Sequence, residues 1–106
     1  MWTVSGNNIK MAEGDYGIQL PVKVSGVTLT ASDSLRFTFK TAQNGDEVLV
    51  KEFDNITDNT VNLEFTEAES ALFPVGSYVY SLDWYQNGLF MCNIIPVAGL
   101  KVVDKA

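Results

Sequence analysis

Hydrophobic and polar residues alternate with a period of two along most of this 106-residue chain. Such alternation is typical of β-strands that bury one face. Three segments show it most clearly, and the residues predicted to face the core are Ile18, Leu20, Val22 and Val24, then Leu35, Phe37 and Phe39, then Val61, Leu63 and Phe65. Because proline cannot donate a ladder hydrogen bond, Pro21 predicts a sheet edge or a bulge in the first segment.

A further strand is predicted over residues 46–53, where the pattern leaves the buried face open. Either Val48 and Val50 or Leu49 and Phe53 could point inward. The dipeptide Asn44-Gly45 before it predicts a tight hairpin with positive φ angles.

Shorter segments complete the predicted set of strands and turns. A first strand is predicted over residues 7–11, and a last one over residues 99–103, after a break at Ala98-Gly99. Between two of the longer strands, residues 54–59, with the sequence DNITDN, have the composition of a turn.

The segment "TEAESALFP", residues 66–74, carries the helical pattern. Thr66 and Glu69 have the spacing of a capping box and Pro74 ends the segment, which predicts one short helical turn near residues 67–72. Gly76 and Tyr78, which follow, resemble the tyrosine corner of immunoglobulin-like folds. Since no helix is long enough for a parallel crossover, we predict an all-β, immunoglobulin-like antiparallel sandwich of about seven strands, forming one domain over residues 1–106.

The stretch "GSYVYSLDWYQNGLFMCNIIPV", residues 76–97, predicts a hairpin with two alternative registers. A two-residue loop would set Trp84 opposite Met91 and Leu82 opposite Asn93, which places an amide in the core at a cost of about 1 to 3 kcal/mol. A three-residue loop over residues 86–88 avoids that cost, and we therefore predict it.

The three-residue loop divides the hairpin into two faces. Its cross-strand pairs are Trp84 with Phe90, Leu82 with Cys92, Tyr80 with Ile94, Ser81 with Asn93 and Asp83 with Met91. The predicted core residues are Tyr78, Tyr80, Leu82, Trp84, Phe90, Cys92 and Ile94. The predicted outer stripe consists of Val79, Tyr85, Leu89, Met91 and Ile95, and it is either ordinary surface or a subunit interface.

Net charge and cysteine content exclude several classes of protein. Thirteen acidic against seven basic residues give a formal charge of −6, which argues against binding to nucleic acid or anionic membranes. Cys92 is the single cysteine, so no disulfide can form within the chain. The N-terminus lacks the pattern of a signal peptide, so we expect synthesis in the cytoplasm. The most apolar stretch, residues 89–100, is too short to span a membrane.

No group of residues predicts catalysis, a cofactor or a metal site. The chain has no histidine, which removes the commonest general base and metal ligand. Glu67 and Glu69 fit a helix start, where negative charge is favourable. The acidic loop with Asp54, Asp58 and Asn59 lacks the spacing of an EF-hand. We therefore expect a protein that is not an enzyme.

The order of features along residues 14–103 resembles the small β-sandwich domains of tailed-phage structural proteins, especially the N-terminal domain of baseplate upper proteins. The matching residues are Gly14-Asp15, the strand from Ile18 to Val24, then Leu72, Gly76 and Tyr78. The resemblance implies a phage or prophage structural or adaptor protein in a virion or phage-like particle. Its implied partners are other structural subunits, including further copies of itself. The alternative is a carbohydrate-binding or adhesion module, with Tyr85 and Trp2 as the exposed aromatic residues.

Overall fold

Eight strands and one helical turn form a two-layered β-sandwich in the computed structural model, which describes residues 3–5, 8–17, 19–26, 28–56 and 58–104. The strands are β1 (Thr3–Ser5), β2 (Asn8–Ala12), β3 (Leu20–Lys23), β4 (Asp33–Lys40), β5 (Glu47–Phe53), β6 (Thr60–Leu63), β7 (Gly76–Gln86) and β8 (Leu89–Val103). Helix α1 spans Glu67–Ser70. The prediction of an all-β sandwich with one short helical turn is confirmed.

Six strands form the larger sheet, in the order β1-β2-β8-β7-β4-β5, and β3 pairs with β6 in the smaller one. All of these pairs are antiparallel except β2 with β8, which is parallel. Because β6 is the one strand that pairs with β3 among the described residues, Pro21 lies on an edge strand, as predicted.

The core lies between the two sheets, where the clean alternations predicted it. Leu35, Phe37 and Phe39 of β4 are fully buried, as are Leu63 and Phe65. Leu20 and Val22 are partly buried against this core and Val24 is buried in it, whereas Ile18 lies outside the described residues. Aromatic rings fill the centre, with Phe65 and Phe73 stacked at 5.1 Å between centroids.

Strand β5 places Leu49 and Phe53 on the core face, since they pair with Phe39 and Leu35. Val50 is 42% exposed, so Leu49 and Phe53 face the core as in the second alternative, although Val48 is also partly buried against it. Lys51 shares the inner face at the margin of the sandwich, and its Nζ binds the Glu69 carboxylate at 2.8 Å.

Helix α1 begins with the predicted capping box. The Thr66 hydroxyl accepts from the Glu69 amide, and the Glu69 carboxylate accepts from the Thr66 amide. Partial burial raises the pKa of Glu69, but the hydrogen bonds from Lys51 and Thr66 outweigh it and lower that pKa. The tyrosine corner also forms, because the Tyr78 hydroxyl donates to the carbonyl of Pro74 at 2.7 Å.

The β4–β5 turn differs from the prediction. Neither Asn44 nor Gly45 has a positive φ. The loop is longer than a two-residue hairpin, with the Gly45 amide bound to the Ala42 carbonyl at 2.9 Å and the Thr41 amide to the Asp46 carbonyl at 3.1 Å. Glycine is required here by space, since a Cβ would lie 2.3 Å from the Thr41 hydroxyl.

The described residues of the acidic loop, 54–56 and 58–59, form a turn, as predicted. Asn55, Asp58 and Asn59 all adopt left-handed backbone angles. The Asn59 side chain holds two chain segments together, because its oxygen accepts from the Leu29 amide at 2.9 Å and its nitrogen donates to the Val24 carbonyl at 3.1 Å.

The predicted register of the β7–β8 hairpin is wrong. Gln86 pairs with Leu89, so the loop has two residues, and Asn87 and Gly88 have φ angles of 51° and 80°. Register shifts along β8 then change the pairs that follow. The observed pairs are Tyr85 with Phe90, Trp84 with Cys92, Asp83 with Asn93, Leu82 with Ile95 and Tyr80 with Ala98.

The bulges also change which residues of β8 are buried. Phe90 and Cys92, predicted in the core, are exposed, while Ile95, predicted on the outer stripe, packs against the core beside Ile94. On β7, Tyr80 and Leu82 are buried, and Tyr78 and Trp84 are partly buried against the core, as predicted. The break predicted at Ala98-Gly99 does not exist, because β8 continues through it.

Candidate functional site

The predicted stripe does not form one continuous surface. Leu89 and Met91 are exposed, at 70% and 44%, and Tyr85 is half-buried close to them. Val79 lies farther along β7, opposite Gly99, and Ile95 belongs to the core face. The structure therefore brings together three of the five predicted residues.

Phe90 joins these three, although the sequence pattern placed it inside. It is 54% exposed, and its ring meets the Tyr85 ring edge to face at 5.7 Å between centroids. Four of the exposed large hydrophobic residues in the described part of the chain, Leu89, Phe90, Met91 and Val97, lie within residues 89–97. We refer to residues 89–97 as the hairpin edge.

The hairpin edge has a paired strand on one side. Strand β2 pairs with β8 only from Leu100 to Val103, so among the described residues β7 is the single neighbour of the hairpin edge. The Asn8 side chain accepts from the Gly99 amide at 2.8 Å, where β2 begins. The backbone beyond that point is an open edge strand, a surface to which another strand can add.

Beside the hairpin edge, Arg36 organises the outer face of the larger sheet. Its guanidinium binds the Glu52 carboxylate at 2.8 and 3.0 Å, donates to the Tyr85 hydroxyl at 3.1 Å and lies 4.4 Å from the centre of the Tyr85 ring. The hydrogen bonds to Glu52 raise the pKa of Arg36 above its ordinary value. One face of Tyr85 is therefore covered by a cation.

Two adjoining shallow depressions continue along the same face. They measure about 320 Å³ and 250 Å³, and Thr38, Lys40, Ser81 and Asp83 line both. The Asn93 amide donates to the Asp83 carboxylate at the rim. Hydroxyl, amide and charged groups dominate this surface, in contrast to the apolar hairpin edge.

The residues that the sequence analysis considered as metal ligands or catalytic groups make contacts that stabilise the fold. Asn59 of the acidic loop forms hydrogen bonds with the backbone of Leu29 and Val24. Glu69 forms part of the capping box of α1. In the described part of the chain, no group of three or more His, Cys, Asp or Glu residues is arranged to hold a metal ion. A search over the same part finds no helix with the length and hydropathy needed to cross a membrane.

Comparison of the chain with protein-family models, curated proteins and solved structures gives no match.

Proposed function

We propose that this protein is a non-enzymatic structural or adaptor protein that acts through protein–protein contacts at the hairpin edge. The observation that carries the proposal is the cluster of exposed Leu89, Phe90 and Met91 on a strand that pairs with β7 on one side and with no other strand among the described residues. Exposed apolar side chains that cluster on a small soluble domain mark contact sites more often than ordinary surface. The resemblance to tailed-phage sandwich domains supports a tail or baseplate-type component of a phage or prophage.

The test is assembly with the products of neighbouring genes. We expect tail or baseplate genes beside the gene for this chain, and a stable complex when their products are expressed together and separated by gel filtration. Phe90→Lys should abolish the complex, whereas Val75→Lys, which changes a residue 52% exposed elsewhere, should leave it intact. A complex unaffected by Phe90→Lys would contradict the role of the hairpin edge. A gene with no structural genes beside it would contradict the phage origin.

The polar depressions favour a second candidate, the binding of a neutral carbohydrate. Thr38, Ser81, Asp83 and Asn93 offer hydroxyl, carboxylate and amide groups of the kind that bind sugar hydroxyls. Saturation-transfer NMR with a panel of neutral oligosaccharides tests it. We expect transfer that disappears in Asp83→Ala, whereas Asp54→Ala, a change in an exposed loop, should leave it unchanged. No transfer from any member of the panel would rule out this candidate for those sugars.

A further inference from the structure

We propose that the hairpin edge pairs with the hairpin edge of a second copy of this chain, as two antiparallel strands related by a twofold axis. This inference rests on the proposed function, in which the hairpin edge is the contact surface, and it names the partner. The pairing joins the larger sheet of one protomer to the larger sheet of the other through residues 89–97 of each.

The open backbone provides the first argument. Strand β8 spans Leu89–Val103, but β2 covers it only from Leu100 onward. The amide and carbonyl groups of residues 89–97 that face away from β7 have no neighbouring strand among the described residues. Proteins commonly protect such edges with charged side chains, bulges or proline. This edge has bulges and Pro96 but no charge.

The absence of charged residues from the hairpin edge favours a second copy of this chain as the partner. Residues 89–100 contain no Asp, Glu, Lys or Arg, although the whole chain has a formal charge of −6. When an edge pairs with its own copy about a twofold axis, a charge close to the axis lies near its identical counterpart, at a cost of several kcal/mol when the two are opposed. A neutral edge on a strongly acidic protein avoids that repulsion.

The distribution of side chains also suits antiparallel self-pairing. With the axis near Asn93, the exposed Leu89 of one copy lies opposite the exposed Val97 of the other, and Phe90 lies opposite Pro96. Apolar cross-strand neighbours of this kind stabilise a sheet. Because β2 begins beside Gly99, the end of one hairpin fits in the space beside β8 that the partner's β2 leaves open.

Sedimentation velocity of the purified protein over a wide range of concentration tests the inference. We expect a monomer–dimer equilibrium. Phe90→Lys should weaken dimerisation about tenfold or more, because a charged lysine would replace the apolar ring that lies opposite Pro96 of the second copy. Val75→Lys, at a similarly exposed apolar residue away from the edge, should have no effect. Circular dichroism checks that both variants fold. A strict monomer at every concentration would overturn the proposal.

Two further measurements test the pairing itself. Cys92 is exposed and lies beside the proposed axis, so a short bifunctional maleimide should link two wild-type chains and fail to link Phe90→Lys. Raising the salt from about 0.01 M to about 0.15 M shortens the Debye length from about 30 to about 8 Å, so repulsion between two acidic protomers falls and the dimer should tighten. A dimer whose Cys92 residues cannot be linked would place the interface elsewhere and contradict the proposal.

The two proposals can fail separately. If the protein is a monomer but Phe90→Lys still abolishes the complex with neighbouring gene products, the hairpin edge is a contact surface for a different partner. If the dimer forms and the complex survives in Phe90→Lys, the pairing is correct and the proposed role of the edge in assembly is wrong.

Discussion

Asp33 is a buried polar residue whose hydrogen bonds join two strands of the larger sheet. Its side chain is 2% exposed, and its carboxylate accepts from the Thr30 amide at 2.7 Å and from the Trp84 indole at 3.0 Å. It thereby holds the start of β4 against β7. Alternation does not reveal this role, because the pattern records which face is buried and not which polar groups meet there.

Substitution of Asp33 by asparagine should destabilise the protein. The asparagine nitrogen would replace an oxygen that accepts from the Thr30 amide and hydroxyl. Placing an amide nitrogen at this buried position, where it cannot accept the hydrogen bond that the carboxylate accepts, costs about 1 to 3 kcal/mol. Urea unfolding followed by tryptophan fluorescence measures the loss. The matched control is Asp54→Asn in an exposed loop, which should change the free energy of unfolding by no more than about 0.5 kcal/mol. Equal stability of the two variants would contradict this role.

The pH dependence of stability should report the same carboxylate. Hydrogen bonds from the Thr30 backbone, opposed by burial and aided by Trp84, lower the pKa of Asp33 below its ordinary value of 3.8. A lowered folded-state pKa stabilises the protein above the unfolded-state pKa, and this contribution is lost as the pH falls through the folded-state value. Urea unfolding at a series of pH values below about 5 should therefore show a steeper loss of stability for the wild type than for Asp33→Asn. Parallel curves would contradict the assignment.

At the scale of strands, alternation correctly predicts which residues are buried wherever the opposite sheet covers one face of the strand. β4 and β6 lie under the opposite layer, so Phe37, Phe39 and Leu63 were correctly placed from the sequence. In β8, register shifts interrupt the period of two, so Phe90 and Cys92 were placed on the wrong face. The two-residue loop was one of the two alternatives at the turn, but the bulges cannot be recognised in this apolar run, so the pairs beyond Tyr85 and Phe90 could not be predicted.

The β4–β5 turn yields a prediction about Gly45. A methyl group on this residue would lie 2.3 Å from the Thr41 hydroxyl and 2.9 Å from the Ala42 nitrogen. Gly45→Ala should therefore cost about 1 to 3 kcal/mol of stability, as for other overpacked positions, measured by urea unfolding. Adding Thr41→Ala should recover part of the loss, because the side-chain clash disappears and the backbone clash remains. A neutral Gly45→Ala variant would show that the loop adjusts freely.

At the scale of the molecule, the sequence predicted the core better than the surface that we propose for function. The candidate site depends on where β2 begins along β8, which leaves residues 89–97 at an edge that no other described strand covers. That boundary is set by pairing between residues distant in sequence, such as Asn8 with Gly99. No pattern within residues 76–97 contains this information, so the sequence indicated exposed apolar residues here but not the open edge.

The same boundary predicts how stability varies along the molecule, whose longest dimension is 42 Å. Residues 98–103 of β8 include buried Ala98, Leu100 and Val102, and β2 pairs with β8 from Leu100. Residues 89–93 are exposed, and β7 is the one described strand that pairs with them. Segments with few buried contacts open locally at lower free energy. Hydrogen exchange at low protein concentration should therefore be faster for the amides of residues 89–93 than for those of residues 100–103.

Protection of residues 89–93 should rise with concentration in the wild type, as the hairpin edges pair, and remain unchanged in Phe90→Lys. Uniform protection along β8 at low concentration would contradict the open edge, and protection that rises equally in both proteins would place the association on another surface.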